Sequence, residues 1–542
     1  MTAVAEPDTD TFAGAPPRRP RTRRSIVPAS ADGRIALGLV LLLFGVYALC
    51  AGGHTYSSDE EGILLSTRRI FGDRTPVLVV NEDQNNLIPV AAGRDGQPVG
   101  VSGMAQITAL APLVEVGSFV GDLVEPRWRE LTVRLFVSLA NPAATAIGVA
   151  LFFLVCVELG ATRRRALLLA LVYGLGTYAW PHAKTVFSEP ITVTMLIGAV
   201  LGAVRLSVRS GYRNALLAGA FLGFAPTGRP SAAIFIPIVC AYVAVVAFAR
   251  DRVRGVALAA VAVAAGAAPG IAFLLGTNWW RFGGPFEFGY QGLRFTHPIH
   301  EGVYGLLLSP GKSVFLYAPV VAVAIAAAFF APRGRRRDVT LFLTLALVNV
   351  LFFARFIHWH GDHSWGPRYL LLSLPFFVLP AAVVLDRERW RRAVAVAGVL
   401  GVLSAMLGVA IYFNQFFLVA ERELGSKSFD DGPAYWRSLH FDPEWSPIVG
   451  HVRLVDDVAR NGIKGIAGDL PYKPLPSGAR DRYFWYFDEP PAPDSWLYWH
   501  ARLRAPAGLY ALALVELAAA AAGFVLLRRT LRTDGGRTWA SP

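Results

Sequence analysis

The sequence predicts an α-helical polytopic membrane protein, and three observations carry that reading. Of 542 residues, 54% are hydrophobic and only 17% charged, where soluble domains carry roughly 25% charged residues. Twelve apolar runs approach the about 20 residues a helix needs to cross the hydrocarbon layer. They lie at 35–53, 132–157, 166–180, 190–206, 214–225, 231–248, 256–276, 314–331, 339–356, 369–385, 393–413 and 508–527, the third and fifth being short. Arginines, finally, gather between alternate runs. The expected architecture is a bundle of about 12 transmembrane helices with a structured first outer loop and a small outer domain inserted before the last span.

The arginine clusters at 18–24, 163–165, 205–213, 250–254, 333–337, 387–392 and 528–532 set the orientation. By the positive-inside rule those loops and both termini are cytoplasmic, which predicts a multi-pass protein of a bacterial plasma membrane. The net charge of +13 is then a topology signal. No nucleic-acid-binding module accompanies it, so no nucleic-acid partner is expected. Residues 1–34 read as a disordered basic tail without a signal-cleavage site. Cys50, Cys156 and Cys240 all sit inside apolar runs, so neither a disulfide framework nor a thiolate metal site is expected.

This orientation puts the acid-rich and His-rich segments outside: 54–131, 181–189, 277–313, 355–368 and 414–506. The first outer loop, 54–131, belongs to a membrane module spanning 35–413. It reads as a short surface helix over 59–71 with Ile63, Leu64, Ile70 and Phe71 on its apolar side. A β-hairpin turning at "RDGQ" (94–97) and a second helix around 106–120 follow. Segment 414–506, with "RYFWYF" (482–487) and "SWLYWH" (495–500), reads as an aromatic-rich outer domain, and 507–542 as the last span and tail. Trp436, Trp445, Tyr483, Trp485, Tyr486, Trp496 and Trp499 could stack on sugar faces or form that domain's core.

Within "YSSDEEG" (56–62) the three acids divide. Ser58 and Glu61 fit a capping box. On the helix so begun, Glu61 shares a face with Arg68 and should pair with it. Asp59 and Glu60 are left without a structural partner beside the membrane, where a partly desolvated carboxylate makes a usable general base.

A cytoplasmic N-terminus, one span, and a large outer loop opening on Asp-Glu resemble the GT-C superfamily of polyprenyl-phosphate-sugar glycosyltransferases. That superfamily includes protein O-mannosyltransferases and the lipid A aminoarabinose transferase. "GAFLGFAPTGRPSAAIFIP" (219–237), "GLLLSPGKSVFLYAP" and "SWGPRYLLLSLPF" are similar to stretches of its bacterial members, and the resemblance covers residues 35 to about 385. It implies that Asp59, with Glu60 beside it, deprotonates an acceptor hydroxyl, and that Glu189 supplies a second acid. The implied partners are a polyprenyl-phosphate-linked sugar donor, membrane lipids, and an extracytoplasmic glycan, lipid or protein acceptor. The preference for Arg over Lys and the wealth of Ala, Gly and Val suggest a GC-rich bacterium, in which an arabinofuranosyl or mannosyl donor is expected.

The physical logic also stands alone. Nucleotide sugars are cytoplasmic, so an enzyme with outer carboxylates needs a donor delivered by the membrane. A departing phosphate needs cations. Lys184, Arg229, Lys312 and Arg368 lie near the outer boundary, and Arg is favoured where phosphate is held bidentately. "GLLLSPGKS" imitates a phosphate loop but has one residue too many between Gly305 and Gly311. His358, His360, Asp362 and His363, with Trp365, are candidates for substrate contact. The first four also offer donors to a divalent ion, although no essential metal is expected. A transporter or flippase of lipid-linked sugars and an inert envelope scaffold are the rival readings. The absence of an internal repeat weighs against the transporter.

Overall fold

The first and last long helices, Ala31–Leu49 and Ala511–Gly535, lie antiparallel in contact. A Cβ on Gly45 would stand 2.4 Å from the Glu516 carbonyl oxygen, and one on Gly523 would stand 2.3 Å from the Leu42 nitrogen. Small residues at such positions let helix backbones meet, the usual way helices associate where no water drives them together. Antiparallel packing puts the start of the first helix and the end of the last on one side. The loop after residue 49 therefore leaves from the opposite side.

This computed structural model describes residues 30–79, 88–209, 211–290, 292, 294–424, 433–461 and 493–535. Among them, eight helices are long and apolar enough to cross a membrane, and Leu374–Val384 is a shorter apolar one. Each of the twelve runs read from the sequence is helical over most of its length. The stretch Pro230–Phe282 contains two of them, separated at Asp251 and Arg252, whose backbone leaves helical geometry (Arg252 φ 54°). Run 369–385 is a chain of short pieces, Arg368–Leu372, Leu374–Val378 and Leu379–Val384. Prolines 375 and 380 interrupt it, since each lacks an amide proton and crowds the preceding turn.

Met104–Gly121, expected as a loop helix near 106–120, is itself long and apolar enough to cross. It turns back through Pro126–Val137, with Gly117 against the backbone of Val133. Between it and the first helix lie the Ser58–Thr67 helix and the hairpin Val90–Ala92/Pro98–Gly100. The hairpin turns where "RDGQ" predicts, Gly96 taking φ 74°, a left-handed conformation that favours glycine. Ile63 and Leu64 pack on Met104, Ile107 and Leu110 in a buried cluster, so the acidic helix lies against protein on its apolar side.

The C-terminal segment contributes helices Asn414–Leu424, Pro433–Phe441, Pro447–Asn461 and Trp496–Arg502. Phe416, Phe417, Tyr435, Leu439 and Leu454 form a core for the first three, whereas Trp496 packs with Leu135 and Ala513. The aromatic run 482–487, residues 1–29 of the tail, and Val80 of the expected strand lie outside the described residues.

Candidate active site

The three consecutive acids separate because each helical residue rotates about 100° from the last. The cap is Ser57, whose hydroxyl accepts from the Glu60 amide at 3.4 Å; Ser58 is already the first helical residue. The capping box read from Ser58 and Glu61 is corrected accordingly.

Glu61 turns inward. Its carboxylate takes two bonds from Arg134, at 2.6 and 2.8 Å, and one from Thr55 at 3.0 Å. The expected partner Arg68 pairs with Glu130 instead, at 2.9 Å. Arg134 lies within an apolar helical face and is 7% exposed. A fork so buried pairs with the nearest carboxylate, because an unpaired guanidinium there is very costly.

Glu60 is fully buried and accepts from the Tyr56 amide at 2.8 Å. It does not line the cavity described below, so the expected pairing of Glu60 with Asp59 at the reaction centre is not what the fold builds. Burial first of all pushes its carboxyl up to about 8, against the pull of the Tyr56 amide and Arg368.

Asp59 faces the other way, into a cavity of about 1090 Å³. Its Oδ2 lies 3.1 Å from Nη2 of Arg368, whose Nε reaches Glu189 Oε1 at 2.6 Å. Arg229 contacts the same Glu189 oxygen. Glu189 is fully buried and the Arg368 side chain is 8% exposed, whereas Asp59 is 40% exposed to the cavity. The expectation that Asp59 lacks a partner is therefore corrected: it is ion-paired across 309 positions of sequence. The Arg368 Cζ lies 3.6 Å from the centre of the Phe187 ring, and Arg229 Cζ lies 5.2 Å from that of Tyr369. Stacking and one shared carboxylate hold both forks at the same wall.

The cavity lining combines polar groups, Ser57, Ser58, Asp59, Arg229, Asp362 and Arg368, with a large aromatic set that includes Phe286, Phe288, Tyr290, Phe295, Phe352, Phe353 and Phe356. The long loop 355–368 supplies His358, Asp362 and His363 to the wall. Its Gly361, Asp362 and Gly366 all take positive φ (70°, 54° and 70°), and that chain path aims its carbonyls at one point. Lys312 fills the point. Its Nζ donates to the carbonyls of Asp362 at 2.9 Å, Ser364 at 2.8 Å and Gly366 at 3.3 Å.

The two lysines are thus not where a phosphate could meet them. Lys312 is fully buried, and burial pulls its amine down to about 7. Lys184 is fully buried too, bound to Asp494 Oδ2 at 2.9 Å and to the carbonyls of Val409 and Asp494 at 2.7 Å each. Neither lines the cavity. Trp365 is fully buried, edge-on to Tyr317 and packed on Gly408, and forms core rather than cavity wall. His360 is also behind the wall. Its Nδ1 accepts from the Asp362 amide at 3.0 Å and its ring stacks on Trp436 at 4.4 Å.

Donor atoms of His358, His360 and Asp362 lie within 4.8 Å of one another, a grouping that could hold an ion. Burial pushes the His363 imidazole down to about 3, so it is neutral. Trp436 and Asn414 of the C-terminal segment complete the wall, whereas Trp496 and Trp499 are core. The residues sequence reasoning missed are Arg134, Tyr56, Asn414 and Asp494. Only Arg134 carried a signal, as an arginine inside an apolar run.

No protein-family model and no curated protein sequence matches this chain. Among solved structures, the likeness is to ArnT. The crystal structure of ArnT from Cupriavidus metallidurans bound to undecaprenyl phosphate has 15% identity and a TM-score of 0.45, covering 85% of this chain and 86% of that one. Its apo form gives 15% and 0.45, with 84% of each chain covered. ArnT is the lipid A aminoarabinose transferase, one of the relatives the sequence motifs resemble.

Proposed function

We propose that this protein is a membrane glycosyltransferase that moves a sugar from a polyprenyl-phosphate donor to an acceptor hydroxyl. The observation that carries the reading is Arg368 bridging Asp59 and Glu189 in a cavity lined by charged groups and by many aromatic rings. The aromatic lining suits an isoprenoid tail. Arg368 and Arg229 suit the phosphate, as bidentate forks at a desolvated site. Both arginines also satisfy one buried Glu189, which fixes their spacing before any ligand arrives.

The chemistry is a single displacement. Asp59 accepts the proton of the acceptor hydroxyl; the resulting oxygen forms a bond to the anomeric carbon; the bond from that carbon to the phosphate oxygen breaks. The lipid phosphate leaves as an anion stabilised by Arg229 and Arg368, and the anomeric carbon is inverted. Ser57, Ser58, His358, Asp362 and His363 surround the space a sugar would occupy. No step passes through a metal. The acceptor is a cell-envelope glycan, glycolipid or protein reached from the side opposite the termini.

Reconstitution with a panel of polyprenyl-phosphate sugars tests this, with released lipid phosphate as the readout. Release that depends on an acceptor supports the reading. Translocation of the labelled lipid across the liposome with no glycosidic bond made would replace it with the flippase.

A further inference from the structure

Against the cavity, and sharing Tyr56 with its lining, lies a second cluster of ionisable groups. Asp494 comes just before the last span, 435 positions after Asp59, and is 2% exposed. Its Oδ1 accepts from His54 Nε2 at 2.9 Å and Trp499 Nε1 at 3.2 Å. Its Oδ2 accepts from the Tyr56 hydroxyl at 2.7 Å and from Lys184 at 2.9 Å. Against the upward push of burial, Lys184 and His54 hold this carboxyl well below the usual carboxylate range.

Two of the four groups this carboxylate holds, His54 and Tyr56, lead to the acidic helix. Tyr56 directly precedes the Ser57 cap, and Asp59 follows three residues later. The Tyr56 carbonyl accepts from Asn414 Nδ2 at 2.8 Å and the Tyr412 hydroxyl at 3.2 Å, and its amide donates to Glu60. Its ring is stacked 5.1 Å from Phe413. The strand of contacts continues in the backbone, where the Asp494 amide donates to Ala410 and the Trp496 amide to Ala51. Amide, carbonyl, ring and hydroxyl of Tyr56 are thus all fixed, and the hydroxyl's anchor is Asp494.

We propose that Asp494 is a positioning residue that sets the entry of the acidic helix through Tyr56 and His54, and so aims Asp59 at the acceptor hydroxyl. Lys184 serves as its counter-ion. This rests on the reading of Asp59 as the base. The physical reason for so dense an anchor is that a general base displaced by about 1 Å can lose about 100-fold in rate. The helix it positions is short, at 10 residues, and its other polar anchors, Glu61 to Arg134 and Asp59 to Arg368, grip side chains beyond the entry rather than the entry itself.

A purely architectural role would move folding and donor binding together; positioning of the base moves turnover alone. The test uses the full chain in lipid nanodiscs. Tyr56→Phe removes a single bond to the anchor. The pair Asp494→Asn with Lys184→Met removes the anchor charge without stranding the ammonium. Turnover, affinity for a synthetic polyprenyl monophosphate, and melting temperature are measured for each. Positioning predicts turnover at least about 10-fold lower with phosphate-lipid affinity within about threefold. Asp59→Asn runs alongside. If it is inactive while Tyr56→Phe and the double variant turn over like wild type, the positioning role is wrong and the base assignment survives. A fall in affinity and melting temperature that matches the fall in turnover also overturns positioning. Full activity of Asp59→Asn removes the underlying reading itself.

Discussion

The Arg368 guanidinium lies 3.1 Å from the Asp59 carboxylate, so the proposed base and the proposed phosphate clamp are ion-paired before substrate binds. A phosphate entering the cavity competes for the same fork. Arg368→Lys keeps the charge but cannot bridge Asp59 and Glu189 while also facing a ligand. Turnover should drop about 100-fold, the order found when one donor to a developing anion is lost. Kinetics of Arg368→Lys and Arg229→Lys check this, and wild-type rates in both would refute the clamp.

Glu60 should register in stability rather than in chemistry. Its folded carboxyl is raised to about 8 from an ordinary 4.5, so between those values the folded state binds the extra proton. Stability from this group is fully present below about pH 4.5 and declines as pH rises to about 8. Glu60→Gln removes that slope. Its melting temperature should fall less than wild type's between pH 5 and 8, with acceptor transfer largely kept. Melting curves across that range, with turnover at one pH, decide it.

The Glu61–Arg134 pair should be structural. With side chains 1% and 7% exposed, removing Glu61 takes away two charge-assisted bonds and leaves Arg134 with Glu130 alone, at 2.9 Å. Glu61→Gln should cost about 2 kcal/mol. The folded fraction should still transfer sugar at the wild-type rate per molecule. Unfolding in detergent and turnover per folded molecule measure the two quantities.

A chelator should leave the rate within about twofold. His358, His360 and Asp362 can meet around an ion, but they offer one carboxylate beside a buried Lys312 and Arg368, and no step needs the ion. Metal analysis with activity before and after chelation tests this, and a loss restored by one divalent ion would contradict it.

Much of the fold was legible because bilayer crossing leaves long apolar runs that survive without context, even where prolines chop run 369–385 into short pieces. The hairpin turn at "RDGQ" was legible for a similarly local reason. Asp59, Arg229, Arg368 and Asp362 were found as charges on the outer side, and the fold brings them to one cavity. What failed was partner choice. Glu61 pairs with Arg134 instead of the neighbouring Arg68, and Lys184 with Asp494 instead of a ligand. Separations of 73 and 310 positions are set by helix packing, which spacing along a helix does not encode. Lys312 was misread because its partners are carbonyls, which every residue carries.

The most direct measurement is acceptor-dependent release of lipid phosphate by Asp59→Asn in nanodiscs, with folding checked by melting temperature. The account predicts a folded protein whose release rate is down at least about 100-fold. Wild-type release from a folded Asp59→Asn protein would contradict it.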